Sequence, residues 1–300
     1  MTMYDVVIVG AGTAGLTAAI YVQRAGKHAL VLEGNAYGGQ IINTQDIANF
    51  PAIPHISGFE YATALYQQTL DLGAEIRFEA VLAIDKTEEG YNVRTRSADY
   101  PCKSVILATG VQRREMGLPN EKELVGKGVS YCATCDGAFF RGKDVAVYGG
   151  GNTALEDAEF LTRFCRKVYL IHRRDAFRGD SANVEKLQNK DNLEFVLNCT
   201  VKELKAEGKL TSVIVTNKIT GEDRELPVDG LFVAIGQIPS NQAFAELVEL
   251  DEAGYIVAGE DCRTTADHIF AAGDCRTKKV RQLTTAAGDG AVAGLAASEN

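Results

Sequence analysis

Two glycine-rich turns, each set between a run of β-branched residues and a stretch rich in small and apolar residues, constrain this 300-residue chain more than any other feature. Tyr4-Asp-Val-Val-Ile-Val9 has the unbroken apolar content of a strand buried on both faces. It leads into Gly10-Ala-Gly12-Thr13-Ala14-Gly15. Leu16 to Ala25 then reads as a helix, and Ala29 to Leu32 as a second strand closed by Glu33 and Gly34. The pattern starts again at Asp144 to Tyr148, with the turn Gly149-Gly-Gly151-Asn152-Thr153-Ala154, a helix from Leu155 to Phe164 and a strand from Val168 to Ile171. In such a unit the first glycine allows the tight turn, the second lets the backbone approach a pyrophosphate, and the third lets helix and strand pack closely. The helix N-terminus adds N–H donors and positive dipole. Gly10, Gly12 and Gly15 fill all three places; Gly149 and Gly151 fill two, with small Ala154 in the third.

Two such units imply an α/β fold with two Rossmann-like dinucleotide-binding domains, three-layered, with parallel central sheets and small antiparallel β-sheet additions. Gly34 to Gly58 reads as a loop carrying Gly38, Gly39 and Gln40, and Glu60 to Leu72 as a helix. Short strands are expected over Glu75 to Arg96, and a buried strand over Ser104 to Ala108, closed by Thr109 and Gly110. Weaker strands follow at Leu193 to Leu197 and Leu210 to Val215. A clear one runs from Gly230 through Ile235 to Gly236, another covers Ile269 to Asp274, and a helix starts at about Gln282. Pro119 and Pro239 lie in polar, turn-forming surroundings, which puts domain boundaries within Gly110–Glu121 and Gly236–Asn241.

The charge balance, Lys+Arg 31 against Asp+Glu 40 for a net −9, excludes a general basic surface for nucleic acid or anionic lipid. No stretch approaches the roughly 18 apolar residues of a membrane span. The N-terminus enters a strand at once, without the marks of a leader. A cytoplasmic location is therefore expected.

The residue after the second strand discriminates the ligand. An acid there accepts from a ribose 2′-OH and repels a 2′-phosphate. Glu33 holds that place in the first unit, which points to FAD or NAD. The second unit instead carries His172-Arg173-Arg174-Asp-Ala-Phe-Arg178, and guanidinium forks match phosphate geometry, which points to NADP.

Of 7 cysteines, Cys102, Cys165, Cys199, Cys262 and Cys275 are scattered singly and read as packing. Cys132-Ala-Thr-Cys135 has the spacing of a redox dithiol near a β-α-β unit. A zinc site would need two more ligands, and His28, His55, His172 and His268 do not cluster. A structural staple across so short a loop would constrain little chain. Asp136 follows directly; it can shuttle the proton that thiolate exchange requires, or cap the turn into Gly137.

The two glycine turns, Cys132-Ala-Thr-Cys135-Asp136, the His172-Arg173-Arg174 run, Phe270-Ala-Ala-Gly273-Asp274, Arg281-Gln282 and Thr285-Ala-Ala287-Gly288 together resemble the low-molecular-weight thioredoxin reductases of bacteria and plants. The likeness extends from Asp5 to about Ala297 in the same order. It implies a homodimeric flavoprotein oxidoreductase that passes electrons from NADPH through FAD to a Cys132–Cys135 disulfide and on to thioredoxin. It implies no metal. By position, Gly10, Gly12, Thr13, Ala14, Gly15, Glu33, Gly39, Gln40, Asn49, Thr109, Gly110, Gly273, Asp274, Arg281, Gln282 and Ala287 would hold FAD. Gly151, Asn152, Thr153, His172, Arg173, Arg174, Arg178, Ile235 and Gly236 would hold NADPH. Cys135 would face the flavin, Cys132 would attack the substrate disulfide, and Asp136 would be the acid. The expected division is an FAD domain over residues 1–113 and 242–300, with an NADPH domain over 114–241 inserted into it.

Glutathione-reductase-like flavoproteins place their cysteine pair in the first domain and carry an interface domain, so glutathione and lipoamide are disfavoured as substrates. A ferredoxin–NADP reductase on this fold would lack the cysteine pair. A glutaredoxin-like or peroxiredoxin-linked carrier would use the same residues, and a non-catalytic flavin redox sensor would share them; the sequence leaves both open. The chain ends at Asn300, somewhat before many such relatives, so a shortened last helix is expected. Because dithiol and NADPH residues share one domain and the FAD residues lie in the other, the inserted domain is expected to swing about Gly110–Arg114 and Gly236–Asn241.

Overall fold

The computed structural model describes residues 3–44 and 46–299; Met1, Thr2, Gln45 and Asn300 lie outside them. The chain divides into two compact units, Met1–Gln112 with Ile238–Asn300, and Arg113–Gln237 between them. The crossings thus fall at 112/113 and 237/238, against the 113/114 and 241/242 of the sequence reading.

In chain order the first unit contributes β1 (Tyr4–Val9), α1 (Thr13–Arg24), β2 (Ala29–Leu32), a 3-10 turn (Gly39–Asn43), α2 (Gly58–Asp71) and β3 (Glu75–Arg77). The hairpin β4 (Ala83–Lys86) and β5 (Tyr91–Arg94) follows, then β6 (Asp99–Leu107), and β7 (Val111–Arg113) leads out. The second unit contains β8 (Val129–Ser130), α3 (Ala133–Asp136), β9 (Asp144–Gly149), α4 (Asn152–Thr162), β10 (Lys167–Ile171), α5 (Ser181–Gln188) and β11 (Leu193–Val196). It continues with β12 (Cys199–Ala206), β13 (Leu210–Asn217), β14 (Asp223–Pro227) and β15 (Gly230–Ala234), and β16 (Gln237–Pro239) leads back. The first unit closes with β17 (Ile269–Ala271) and α6 (Leu283–Ser298).

The first unit's sheet runs β3-β2-β1-β6-β5-β4, with β17 also on β6. Its β1, β2, β3, β6 and β17 pair in parallel, and β4 and β5 extend it antiparallel. β1 is covered on both faces, as its composition requires. Val6 and Ile8 point into a core shared with Leu16 and Val22 of α1 and Ala293 of α6, while Val7 and Val9 point into a second core with Tyr91, Phe244 and Ile256. Each large aliphatic side chain so buried is worth about 1.5–3 kcal/mol. α6 lies close on α1 because Gly290 has no side chain: a Cβ there would stand 2.3 Å from the Ala14 carbonyl oxygen.

The second unit has a parallel sheet, β11-β10-β9-β15-β8, and an antiparallel sheet, β12-β13-β14. Val145, Val147 and Leu170 pack under Leu155, Ala158 and Leu161 of α4; Ala146, Tyr169 and Leu231 pack against Val201, Val213 and Val215 of the antiparallel sheet. Both units are therefore layered α/β structures with an antiparallel addition.

Several boundaries differ from the sequence reading for physical reasons. α1 and α4 begin at Thr13 and Asn152, inside the glycine turns, because Gly12 and Gly151 are extended N-cap residues. β12 escaped notice because a register shift between Val201 and Glu203 breaks its alternation. α5 buries only Leu187 and so has no apolar stripe to read.

Candidate active site

The first turn is shaped by what its glycines exclude. Gly10 has φ +110, and a Cβ on it would lie 2.4 Å from the Ala108 oxygen; a Cβ on Gly15 would lie 1.9 Å from the Gly10 oxygen. A Cβ on Gly12 would meet nothing within 4 Å. That open space lies at the N-terminus of α1, which no side chain caps, so first-turn N–H groups are left for an anion. Glu33 binds the turn itself: Oε2 accepts from Ala11 N at 2.8 Å, and Oε1 from Asn35 N at 2.8 Å. Gly38 N donates to Ala11 O at 2.8 Å, which brings Gly39 beside Gly12.

The other residues expected near FAD fall into two further groups in the same unit. Asn49 Nδ2 donates to Gln282 Oε1 at 3.1 Å, and Gln282 caps α6 reciprocally with Thr285. Gln40 donates to the Val111 carbonyl. Thr109 Oγ1 donates to Asn241 Oδ1 at 2.7 Å, and the buried Asn241 amide donates to Gly254 O and Cys275 O, tying the 109–110 turn to the 273–275 loop. Gly273 has φ +84. Asp274 Oδ1 is buried without a hydrogen-bond partner, and burial pushes its carboxyl up against the pull of Lys278 and Arg281. Arg281 donates through Nε to Asp274 O and sits 4.1 Å from the Tyr255 ring centroid. Ala287 is half-buried on α6.

These features fit FAD. A buried carboxylate oxygen without a donor suits a ligand hydroxyl. The open N-terminus of α1 suits a pyrophosphate, and Glu33 suits a ribose bearing a free 2′-OH.

Behind the 273–275 loop stands a charge cluster that the sequence reading missed. Asp289 Oδ1 accepts from Arg276 Nη2 at 2.8 Å; Oδ2 accepts from Arg276 Nε at 2.8 Å, Lys278 Nζ at 2.9 Å and Gly273 N at 2.9 Å. Arg276 is only 2% exposed. The signal was present as an acid between Gly288 and Gly290, but an isolated Asp in a small-residue helix reads as a solvated face.

In the second unit a Cβ on Gly151 would likewise meet nothing within 4 Å, and no side chain caps α4. Asn152 Oδ1 accepts from Asp180 N at 2.7 Å, and Arg178 N donates to Gly150 O at 2.8 Å, so the arginine run folds back onto the turn. Arg173, Arg174, Arg178 and Thr153 are exposed. Among the described residues, no side-chain hydrogen bond or ion pair engages the three guanidinium groups, a disposition suited to a phosphate. His172 is placed differently. It is buried, its ring stacks on Phe177 at 5.1 Å, Nε2 lies 3.1 Å from Ala176 O, and a Cβ on Gly150 would come within 2.0 Å of the ring. Burial, helped by the three arginines, lowers its pKa, so the imidazole is neutral and shapes the turn from beneath. Ile235 is half-buried, and Gly236, with φ +113, accepts from Arg114 N at 3.1 Å.

The same unit carries the dithiol. Cys132 and Cys135 form a disulfide with a Cα–Cα distance of 5.3 Å, Cys132 standing at the N-cap of α3. Cys135 N donates to Cys132 Sγ at 3.2 Å. Asp136 makes no cap of the next turn; its Oδ2 accepts from Ser130 Oγ at 2.6 Å. Burial raises the Asp136 carboxyl above its ordinary value, opposed by Ser130 and Arg113. The Arg113 guanidinium lies 4.7 Å from the Tyr131 ring centroid, and Tyr131 donates to buried Glu121, which also accepts from Met116 N and Gly117 N. Neither Ser130 nor Glu121 was singled out in sequence, because polar residues in turn-rich segments usually serve solvent. The other five cysteines are buried and free; burial pushes the Cys102 and Cys262 thiols up to about 12, which makes them inert.

The family model for pyridine nucleotide-disulphide oxidoreductases matches residues 4–290. The chain is 44% identical to the thioredoxin reductase of Treponema pallidum over 99% of its length and 97% of that protein. It superposes on the crystal structure of a Streptococcus pyogenes thioredoxin reductase with TM-score 0.94, at 39% identity, over 99% of this chain and 97% of the other. A Lactococcus lactis thioredoxin reductase described as in its FR conformation gives TM-score 0.66 at the same 39% identity, over 99% and 98%. No helix among the described residues is long and apolar enough to cross a membrane.

Proposed function

The chain belongs to the pyridine nucleotide-disulphide oxidoreductases and, within them, to the thioredoxin reductases, and from that premise we propose that it is an NADPH-dependent thioredoxin-disulfide reductase using FAD. One observation carries the reading: a disulfide with a half-buried acid at its flank lies in the same unit as a glycine turn faced by three unpaired arginines.

Bound FAD and NADPH supply the electron pair. The FAD-holding residues are Gly10, Gly12, Thr13, Ala14, Gly15 and Glu33 around the first turn, with Gly39, Gln40, Asn49, Thr109, Gly110, Gly273, Asp274, Arg281, Gln282 and Ala287. Gly151, Asn152 and Thr153 take the NADPH pyrophosphate side, and Arg173, Arg174 and Arg178 take its 2′-phosphate. His172 fixes the turn, and Ile235 and Gly236 complete the wall. Cys132, half-buried at the start of α3, attacks the substrate disulfide; Asp136 gives a proton to the departing thiolate; Cys135 closes the pair again.

The dithiol and the NADPH residues belong to one unit and the FAD residues to the other, so the inserted unit takes two placements during turnover, hinged near 110–114 and 236–241. The lower TM-score to the relative described as in a named conformation supports this. A homodimer, from the family resemblance, and a cytoplasmic location are part of the same proposal.

The test is steady-state oxidation of NADPH by the purified protein with oxidised thioredoxin, glutathione disulfide or lipoamide. Turnover with thioredoxin alone is expected; equal turnover with glutathione disulfide overturns the substrate assignment. A cross-link fixing the hinge should stop turnover, and full activity in the locked protein refutes the two placements.

A further inference from the structure

Ser130 ends β8 two residues before Cys132 and is buried. Its hydroxyl oxygen is 3.1 Å from Cys132 N and 2.6 Å from Asp136 Oδ2. The amide can only donate, so the oxygen accepts there, and the single hydroxyl proton is available to the carboxylate. The competing acceptor, Cys132 O, is farther away at 3.4 Å. We propose that Ser130 is a positioning residue for disulfide exchange, fixing the Asp136 carboxyl to the backbone of the attacking thiol and holding the carboxylate that remains once the proton has left.

The inference rests on the reading of Asp136 as proton donor. In the exchange, the Cys132 thiolate bonds to one sulfur of the substrate disulfide. The substrate S–S bond breaks, and the other sulfur leaves with the electron pair and takes a proton from Asp136. The Cys135 thiolate then bonds to Cys132 Sγ, releasing the second substrate thiolate. The enzyme dithiol is oxidised and the substrate disulfide reduced. The two protons gained by the substrate are those lost by Cys132 and Cys135, one routed through Asp136 and one through water. At the moment of transfer Asp136 becomes a pure acceptor in a half-buried site, and Ser130 is the donor already aimed at it.

The charged groups around Asp136 are few. Arg113 faces it and lowers its pKa, as Ser130 does, so loss of the Ser130 hydroxyl raises it. α4, which packs against α3, carries Glu156 and Asp157; burial and Glu156 raise the Asp157 carboxyl to about 7, so Asp157 is the control group in a titration of this unit. Tyr131 and Glu121 stand behind Arg113 and are bonded to each other.

The experiment is stopped-flow reoxidation of the NADPH-reduced holoenzyme by oxidised thioredoxin, followed from acid to alkaline pH. A general acid acts in its protonated form, so the rate falls as pH rises through the Asp136 pKa. Ser130→Ala should move that falling limb upward by roughly one pH unit, the worth of one hydrogen bond to a charged group. Ser130→Thr should restore it, and Ser130→Ala should move nothing in an Asp136→Asn background. Flavin content and melting temperature establish folding, and Ser130→Gly is read in the same way if Ser130→Ala does not fold. A limb abolished by Asp136→Asn yet unmoved by Ser130→Ala overturns the Ser130 inference alone. A limb that survives Asp136→Asn, or vanishes in Asp157→Asn, removes the acid role of Asp136 and this inference with it.

Discussion

The two glycine turns share a backbone plan but differ in the residue that follows their second strand. After β2 it is Glu33, whose carboxylate accepts from the turn's own Ala11 N–H. After β10 it is His172, a neutral ring lying where a Gly150 Cβ would be. The first turn is joined in its unit by another loop in which Asp274 Oδ1 is buried without a partner, and that loop is held from behind by Asp289, Arg276 and Lys278. The second is answered by three exposed arginines without such a lock. Buried, preorganised groups suit a resident cofactor, whereas exposed charges suit a ligand that must arrive and leave each cycle. On the proposed function, one scaffold would serve two binding regimes through what surrounds the turn.

The contrast is most exposed at its third glycine. Gly15→Ala places a Cβ 1.9 Å from backbone in the first unit, while the second already carries Ala154 at the matching place. Gly15→Ala should cost more than about 4 kcal/mol and yield colourless protein by absorbance. Ala154→Gly should keep the flavin.

The lock comes next. Asp289→Asn leaves the buried Arg276 and Lys278 side chains with only the exposed Glu260 carboxylate near Arg276 and should cost about 3–5 kcal/mol in denaturant unfolding. Burial alone would raise the Asp289 carboxyl, but Arg276 and Lys278 hold it below its ordinary value. A depressed folded-state pKa contributes stability that is complete above the unfolded value of about 3.9 and is lost as pH falls through the folded one. Wild-type and Asp289→Asn melting temperatures should therefore converge on acidification; a constant gap contradicts the charge cluster as its source.

Arg173→Ala, Arg174→Ala and Arg178→Ala combined should raise KM for NADPH about 100-fold and leave KM for NADH unchanged, the loss of charge-assisted contacts to one phosphate. An equal rise for both nucleotides would mean the arginines do not read the 2′-phosphate. The smallest effect is a coupling. Gly150→Ala should weaken NADPH binding, and His172→Ala should partly rescue it, by about 1–3 kcal/mol in a double-mutant cycle. Strict additivity would show that the ring does not shape the turn.

Strands buried on both faces, glycine spacing, Glu33, the arginines and the dithiol were legible in sequence because each depends on residues near one another in the chain. What was not legible depends on distant partners. Asn241 joins Thr109 to Cys275, Asp289 reaches back to Gly273, and Glu121 collects Tyr131 and the 116–117 amides; each is polar and looks solvated until the chain closes over it. His172 was legible as the residue that opens the arginine run but not as a buried ring, since nothing local shows that Gly150 leaves room for it. Ser130 falls between the two cases: it is local to Cys132, yet its bond to Asp136 exists only because α3 turns back within one turn.

On the proposed function, reducing equivalents pass from NADPH through a bound flavin to Cys135 and Cys132. Flavin absorbance in stopped flow tests it most directly, with NADPH added first and oxidised thioredoxin second, in wild type and Cys135→Ser. Bleaching by NADPH is expected in both proteins, with rapid thioredoxin-driven recovery of colour in wild type only. A chain that takes up no flavin, or a Cys135→Ser variant whose colour returns as fast as wild type, would contradict it.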